Sequence, residues 1–115
     1  MAPSDKAPGA ISEQYIEAVN QADIERLMSL FSPTASLFHP AGLFTDIHAI
    51  RNFYESVVFA GQATTEIQAK FTDRDAEILQ IRASSPLGAP GHYVHAADVF
   101  KIQDGLIERL DIYYR

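Results

Sequence analysis

The sequence contains no cysteine, few basic residues and no long apolar run, and each of these absences excludes a class of function. Without cysteine there are neither disulfides nor thiolate chemistry. Nine Lys and Arg against fifteen Asp and Glu give a net charge of −6, whereas binding to nucleic acid or to an anionic membrane needs a cationic surface. No segment approaches the roughly 20 apolar residues that span a bilayer. We therefore expect no nucleic-acid partner, no membrane association and, by default, a cytoplasmic location.

The composition that remains is that of one globular domain. The chain has 115 residues, of which 47% are hydrophobic and 21% charged, enough to bury one core but not two. Residues 1–9, "MAPSDKAPG", have the Pro and Gly content of a flexible tail and lack the apolar stretch of a signal peptide. Residues 10–115 are predicted to form a single domain.

Apolar residues in the first half of the chain recur at helical spacing. They predict one helix over "AISEQYIEAVNQ" and a second over "ADIERLMSLF", which includes Phe31. We expect the second helix to end at Ser32, because the residue before a proline avoids helical angles. A third helix is predicted from about Asp46, whose side chain can cap it.

The second half changes to the alternating pattern of β-strands. Strands are predicted over residues 64–72, "DAEILQIRAS", 92–103 and 106–115, with "QDG" as a hairpin turn, and a short strand over "TASLFH" precedes them. In the strand over 64–72, residues 65, 67, 69 and 71 share one predicted face. The order of elements predicts an α+β fold in which three helices pack on one face of a curved antiparallel sheet.

Asp98 lies on the apolar face of the strand over residues 92–103. Its predicted neighbours on that face are Ala96 and Phe100, and no Lys or Arg shares the face. A desolvated carboxyl without a cation has a raised pKa and can stay protonated, which makes it a hydrogen-bond donor. The alternative is that Asp98 faces a wet cavity and ties down a backbone group or a helix end.

His39, Tyr15 and Tyr54 are further polar residues on predicted apolar faces. His39 ends the apolar run in "SLFHP", and the two tyrosines lie on helix stripes. From the residues alone, each has an ordinary explanation as a core side chain whose polar atom finds a partner.

The histidines do not form a metal-binding pattern. His92 and His95 are three residues apart on a strand and point to opposite faces, and no HExxH sequence is present. A three-ligand site built on His39, Asp98 and one more residue stays open, although no feature favours it. Gly-rich phosphate loops and GxSxG are absent, so we expect neither nucleotide binding nor serine catalysis.

Three segments carry a resemblance to a known superfamily: "QYIEAVNQADIERLMSLFSPTASLFHP", "IRNFYES" and "AADVFKIQDGLIERLDIYY". Through them the chain resembles the nuclear transport factor 2-like superfamily, in particular its ketosteroid-isomerase and polyketide-cyclase (SnoaL-like) branch. The resemblance covers about residues 10–115 and implies a cone, in which a strongly curved antiparallel sheet and three N-terminal helices enclose an apolar pocket. The superfamily includes isomerases, cyclases, dehydratases, epoxide hydrolases and non-enzymatic binding proteins.

The resemblance implies roles for the four polar residues that lie on predicted apolar faces. The oxyanion-hole tyrosine of the isomerases lies in a "YIE" context, which here holds Tyr15, and their oxyanion-hole carboxylic acid corresponds to Asp98 in "DVFKI". A supporting tyrosine corresponds to Tyr54. The general base, which precedes a proline, corresponds to His39. The isomerases have a carboxylate at that position, and a further tyrosine of their network falls on Phe31.

The resemblance therefore predicts a cofactor-independent proton-transfer enzyme of the isomerase, cyclase or dehydratase type, with no metal. Its substrate would be a small hydrophobic, ring-bearing carbonyl compound. His39 would remove a proton α to the carbonyl, while Tyr15 and protonated Asp98 hold the enolate oxygen. The predicted substrate-binding residues are Phe31, Val94, Phe100, Leu110, Ile112 and Tyr114.

Two other functions stay open. Epoxide hydrolases and cyclases of this superfamily commonly use an inward Asp-Arg-Asp arrangement, whereas Arg109 and Asp111 are predicted to point outward. The second open function is that of a non-catalytic module that binds a small molecule or a protein partner. A homodimer through the outer sheet face is compatible with each of these functions, because the residues predicted on that face include Tyr93, Val99 and Tyr113.

Overall fold

The computed structural model describes residues 8–115. The helices are α1 (Pro8–Asn20), α2 (Ile24–Ser29) and α3 (Ile47–Phe53), and α3 continues through a π-helical turn (Tyr54–Val58) and a 3₁₀ turn (Phe59–Gly61). The strands are β1 (Phe31–His39), β2 (Gly42–Phe44), β3 (Thr64–Asp73), β4 (Ala76–Ser84), β5 (Val94–Gln103) and β6 (Leu106–Tyr114). Of the predicted flexible tail, residues 1–7 lie outside the described part of the chain, and Pro8 and Gly9 belong to α1.

The strands of residues 8–115 form one six-stranded sheet in the order β2-β1-β6-β5-β4-β3. Neighbours are antiparallel except β1 and β6, which run parallel. The sheet is therefore mixed, and the prediction of a purely antiparallel sheet is wrong at this pair. A parallel pair needs a long connection, which β2, α3 and three further strands supply. The sheet is curled but not closed, and the predicted α+β class is confirmed.

Helix α2 ends at Ser29, earlier than predicted. Phe31 opens β1 and pairs with Ile107 of β6, and the Leu30 carbonyl accepts the Ile107 N–H at 2.8 Å. Pairing with β6 thus outweighs the helical spacing at Phe31. Pro33, which has no N–H to donate, lies where the register of β1 against β6 shifts.

A β-bulge divides β3 into two parts that face opposite ways. Before it, Ile67 pairs with Ile81, which is buried on the inner face of the sheet. Beyond it, Phe71 pairs with Ile78, which is 36% exposed on the outer face. The predicted single face of residues 65, 67, 69 and 71 is therefore wrong, because the extra residue at Gln68 changes the side-chain parity.

The core lies between α1, α3 and the inner face of the sheet. Helix α3 begins at the predicted cap, where Asp46 Oδ1 accepts the backbone N–H groups of His48 at 2.6 Å and Ala49 at 3.4 Å. Fully buried apolar residues include Leu27, Leu37, Ile50, Leu79, Phe100 and Leu110.

Within residues 8–115, no helix is long and apolar enough to cross a membrane.

Polar contacts fasten α1 to the sheet near both of its ends. Ser12 Oγ donates to Glu77 Oε1 of β4 at 2.5 Å, and both side chains are buried. At the other end, the Asn20 amide donates to the Thr65 carbonyl at 2.9 Å and accepts the Thr65 N–H at 2.8 Å. Tyr15 lies between these two contacts, so the part of α1 that carries it is held in place.

Glu77 is a buried acid that is not among the predicted site residues. It shares the inner face of β4 with Leu79 and Ile81. One carboxyl oxygen bonds to Ser12, and Oε2 has no hydrogen-bond partner within the described part of the chain. Its alternation with Leu79 and Ile81 was visible in the sequence, as the corresponding alternation was for Asp98.

Ser12→Ala is expected to lower the free energy of unfolding by about 1–3 kcal/mol, because it removes a donor from a buried carboxyl. The double variant Ser12→Ala/Glu77→Leu replaces both partners by apolar groups and is expected to recover most of that loss. Urea unfolding measures both, with the exposed Ser56→Ala as the matched control. A double variant no more stable than Ser12→Ala contradicts this account.

Candidate functional site

An apolar cavity of about 210 Å³ lies between the helices and the inner face of the sheet. Its walls come from α1, from α3 with its π-helical turn, from the inner faces of β3 to β6, and from the end of β1. Such a concave, mainly apolar space with a few polar groups is typical of a small-molecule site. The polar side chains that reach it belong to Tyr15, His39, Tyr54, Thr65, Asp98 and Tyr114.

The hydroxyl groups of Tyr15 and Tyr54 are hydrogen-bonded to each other at 2.7 Å. Helix α1 supplies Tyr15, the π-helical turn supplies Tyr54, and the two residues are only 4% and 1% exposed. Burial, as the largest cause, raises the pKa of both phenols above its ordinary value. Both therefore stay neutral, and since one hydroxyl donates to the other, one O–H remains for a ligand.

Asp98 points into the cavity from β5. It lies opposite Ile112 of β6 and is 4% exposed. Desolvation raises the pKa of its carboxyl from 3.8 to about 7, and no hydrogen bond or ion pair within residues 8–115 lowers it. Both protonation states are therefore populated near neutral pH, and the carboxyl oxygens are free to meet a ligand.

His39 lies at the end of β1 with both ring nitrogens engaged. Nε2 is 2.7 Å from the hydroxyl oxygen of Tyr114, and Nδ1 accepts the backbone N–H of Ala41 at 3.0 Å. The ring packs on Phe53, with centroids 4.8 Å apart. Desolvation lowers the pKa of His39 below its ordinary value, so the imidazole is neutral near pH 7.

The structure brings four predicted site residues to one cavity: Tyr15, His39, Tyr54 and Asp98. They come from α1, the end of β1, the π-helical turn and β5, which are far apart in the sequence. Their catalytic roles stay predictions. Phe53 and the Ala41 N–H, which hold the His39 ring, were not predicted, and a backbone donor leaves no signal in a sequence.

The predicted substrate-binding residues fall into two groups. Phe31, Phe100 and Leu110 are buried in the core and do not line the cavity. Phe31 and Phe100 meet the Tyr15 ring edge-on, with centroids 6.4 Å and 5.2 Å apart. They pack against the Tyr15 ring and support it. The residues that do line the cavity are Val94, Ile112 and Tyr114.

A larger depression of about 290 Å³ lies on the outer face of the sheet. Its titratable residues are His95, Tyr113 and Arg115, which are exposed or only partly buried, so none is desolvated as Asp98 is. We therefore place the candidate site in the inner cavity. In the part of the chain that the structure describes, no cluster of three His, Asp or Glu residues is placed to hold a metal ion.

A cone of helices and curled sheet around an apolar cavity defines the nuclear transport factor 2-like class of folds. The model of the SnoaL-like domain family matches residues 12–110. The chain belongs to this family. No curated protein sequence matches the chain significantly.

Solved structures with the same fold include proteins to which different activities are ascribed. A proposed polyketide cyclase from Sinorhizobium meliloti is 25% identical, with 89% of this chain and 92% of that chain covered and a TM-score of 0.80. A proposed ketosteroid isomerase from Kribbella flavida is 13% identical, with 94% and 77% covered and a TM-score of 0.82. SalBIII, an epoxide hydrolase/cyclase-like enzyme of pyran ring formation in salinomycin, is 20% identical, with 96% and 92% covered and a TM-score of 0.81.

Asp98→Asn is expected to stabilise the protein relative to wild type increasingly as the pH rises. The folded-state pKa of Asp98, about 7, exceeds its ordinary value of 3.8. The folded state therefore binds this proton more tightly, and the resulting stability is lost as the pH rises towards and through 7. The whole change corresponds to roughly 4 kcal/mol. Urea unfolding of both proteins at about pH 5 and 8 is expected to show roughly 3 kcal/mol of this change, because the part below about pH 5 lies outside the measured interval, and a pH-independent difference contradicts it.

Proposed function

We propose that this protein is a cofactor-independent enzyme that moves a proton at the carbon α to a carbonyl group. The substrate is a small apolar, ring-bearing compound, and the reaction is of the isomerase, cyclase or dehydratase type. The observation that carries the proposal is the Asp98 carboxyl, buried without a partner in an apolar cavity beside the Tyr15–Tyr54 hydroxyl pair. The likeness to a proposed polyketide cyclase and a proposed ketosteroid isomerase is consistent with it.

Asp98 is the proton-transfer group in this proposal. A general base works best when its pKa is near the working pH, and the pKa of Asp98 is about 7. Its carboxylate removes the α proton, and the resulting carboxylic acid returns that proton to another atom. Because Asp98 is electrically unpaired in the described part of the chain, nothing has to be displaced before it reacts.

The Tyr15–Tyr54 pair supports this chemistry by holding the carbonyl oxygen. Negative charge develops on that oxygen as the proton leaves, and the free O–H of the pair donates to it. A hydrogen bond in an apolar cavity of low dielectric constant stabilises such charge more strongly than one in water. The raised pKa of both tyrosines keeps their protons in place throughout. The enolate is then reprotonated, attacks an internal carbonyl, or expels a hydroxyl.

This assignment differs from the sequence-based prediction, in which His39 is the base. A base needs a lone pair directed at the substrate. His39 Nδ1 already accepts the Ala41 N–H, and Nε2 lies against the Tyr114 hydroxyl. Asp98, which has no such partners, fits the role better, and the experiment below distinguishes the two bases.

Epoxide chemistry is supported less well. Arg109 Nε donates to both carboxyl oxygens of Asp111 at 3.0 Å, and neither residue lines the cavity. The inward Asp-Arg-Asp arrangement is thus not assembled from these residues. A purely non-catalytic module is also supported less well, because such a role does not call for a buried acid without a partner in the cavity lining.

We also propose that the outer sheet face pairs with a second copy of the chain. The strand register aligns one row of outward residues across the described sheet: Phe71, Ile78, Val99, Asp111, Phe38 and Leu43. The apolar members at both sides of this row are exposed, and Asp111 is neutralised by Arg109. An exposed apolar row of this kind is typical of an interaction surface.

Exchange of the α protons of β-tetralone in D₂O, followed by NMR, tests the proposed reaction. Wild type is expected to accelerate the exchange, and Asp98→Asn is expected to lower the rate by roughly a hundredfold or more. Tyr15→Phe is expected to give a smaller loss, because the Tyr54 hydroxyl remains.

The control for this experiment is Tyr93→Phe on the molecular surface, which is expected to keep the full rate. An undiminished rate in Asp98→Asn contradicts the proposal. If His39→Gln abolishes exchange while Asp98→Asn does not, the base is His39.

Ile78→Lys is expected to convert a dimer to a monomer, because it places a charge within the apolar part of the exposed row. Sedimentation velocity measures the mass against that of the 12.7 kDa chain. Gln103→Lys, at the exposed end of the β5–β6 hairpin, is the matched control. A monomeric wild type contradicts the proposed interface.

A further inference from the structure

The stretch His39-Pro40-Ala41 determines which nitrogen of the His39 ring carries its proton. Pro40 has no N–H, so the first backbone donor after His39 is the Ala41 N–H, which Nδ1 accepts at 3.0 Å. A nitrogen that accepts a hydrogen bond is unprotonated in the neutral ring. The proton is therefore on Nε2, which donates to the Tyr114 hydroxyl oxygen at 2.7 Å.

This hydrogen bond determines the role of the Tyr114 hydroxyl. Its oxygen accepts from His39, so its own O–H is available as a donor. Tyr114 lines the cavity, is 52% exposed at its edge, and makes no other hydrogen bond within residues 8–115. The ring is also held edge-on to the imidazole, with centroids 5.2 Å apart.

Tyr114 and the Tyr15–Tyr54 pair are on different walls of the cavity. Tyr114 belongs to β6 and pairs with Ala96, two residues before Asp98 on the inner face of β5. Tyr15 and Tyr54 come from the helical wall. Both walls border on Asp98: burial is the largest cause of the raised pKa of all three phenols, and the nearby Asp98 charge raises the pKa of each further.

We propose that His39 is a positioning residue that fixes Tyr114 as a second hydrogen-bond donor, so that the cavity takes ligands with two oxygen functions. One oxygen is held by the Tyr15–Tyr54 pair and the other by Tyr114, with Asp98 next to the atoms between them. The inference names the ligand class of the site in the proposed function, but it rests on hydrogen bonds that are present whether or not the site is catalytic.

The protonation of His39 is tested first, in the free protein. Long-range ¹H–¹⁵N correlation spectra of ¹⁵N-labelled protein at neutral pH distinguish the two ring nitrogens, and a His39→Gln spectrum assigns the signals. We expect a proton on Nε2 and none on Nδ1. A proton on Nδ1, or a doubly protonated ring, overturns the proposal.

The donor role is tested with a matched pair of ligands, para-hydroxyacetophenone and para-ethylphenol, which differ in one carbonyl oxygen. Calorimetric titration is expected to show that Tyr114→Phe weakens binding of the ketone by roughly tenfold and that of the phenol far less. His39→Ala should give the same pattern. His39→Gln, which keeps an N–H donor but cannot act as a base, is expected to retain binding of both ligands.

The double variant His39→Ala/Tyr114→Phe shows whether His39 acts through Tyr114. Its loss of ketone binding is expected to match that of Tyr114→Phe alone. Additive losses, or equal losses for both ligands, overturn the proposal, and so does a wild type that binds neither ligand. Failure of the proposed function is distinct: Asp98→Asn would then leave β-tetralone exchange unchanged, while the ligand pattern and the His39 protonation would stay as stated.

Discussion

The parallel pairing of β1 with β6 is the contact on which the site depends. Because of this pairing, Phe31 belongs to β1 and not to helix α2. The pairing also places His39 beside Tyr114, which is 75 residues further along the chain. Bringing such distant segments together costs chain entropy. The burial of Leu37 against Leu110 in the same register offsets that cost, because both side chains leave water completely. The part of the cavity wall that His39 and Tyr114 form is therefore assembled only when the first and last strands meet.

Two acids lie on inner strand faces, and they differ in how their burial is compensated. Glu77 receives a hydrogen bond from Ser12 and helps to hold α1 on the sheet. Asp98 receives none from the described part of the chain, and its raised pKa is the direct result. A group that destabilises the folded protein at neutral pH without stabilising any contact is better explained by its chemistry than by packing. The contrast distinguishes an acid that anchors a helix from the acid that we propose as the proton-transfer group.

Side-chain periodicity was sufficient for much of the fold and for part of the site. Alternation along β5 and β6 correctly predicted that Asp98 and Ile112 lie on the inner face of the sheet. Helical spacing correctly predicted that Tyr15 lies on the buried side of α1. Periodicity failed where the backbone departs from regularity or pairs with distant residues. The bulge at Gln68 adds one residue to β3, and no change in composition marks it. The structure of Phe31 is determined by its pairing with β6, which is far away in the sequence.

The polar network was the least predictable part of the site. The resemblance to a known superfamily gave the positions of Tyr15, Tyr54 and Asp98, but not the bonds of His39. Those bonds depend on a backbone N–H and on a tyrosine of another strand. Neither is visible in the local sequence, so the prediction of His39 as a base rested on the resemblance alone.

The anchoring of α1 at both ends has a thermodynamic consequence for ligand binding. Ser12 and Asn20 hold the helix against β4 and β3, so the wall that carries Tyr15 does not have to become ordered when a molecule enters. Ordering flexible segments on association reduces affinity. A cavity whose hydrogen-bond donors are already ordered avoids that loss. Most of the free energy of the contacts with a small ligand then contributes to its affinity.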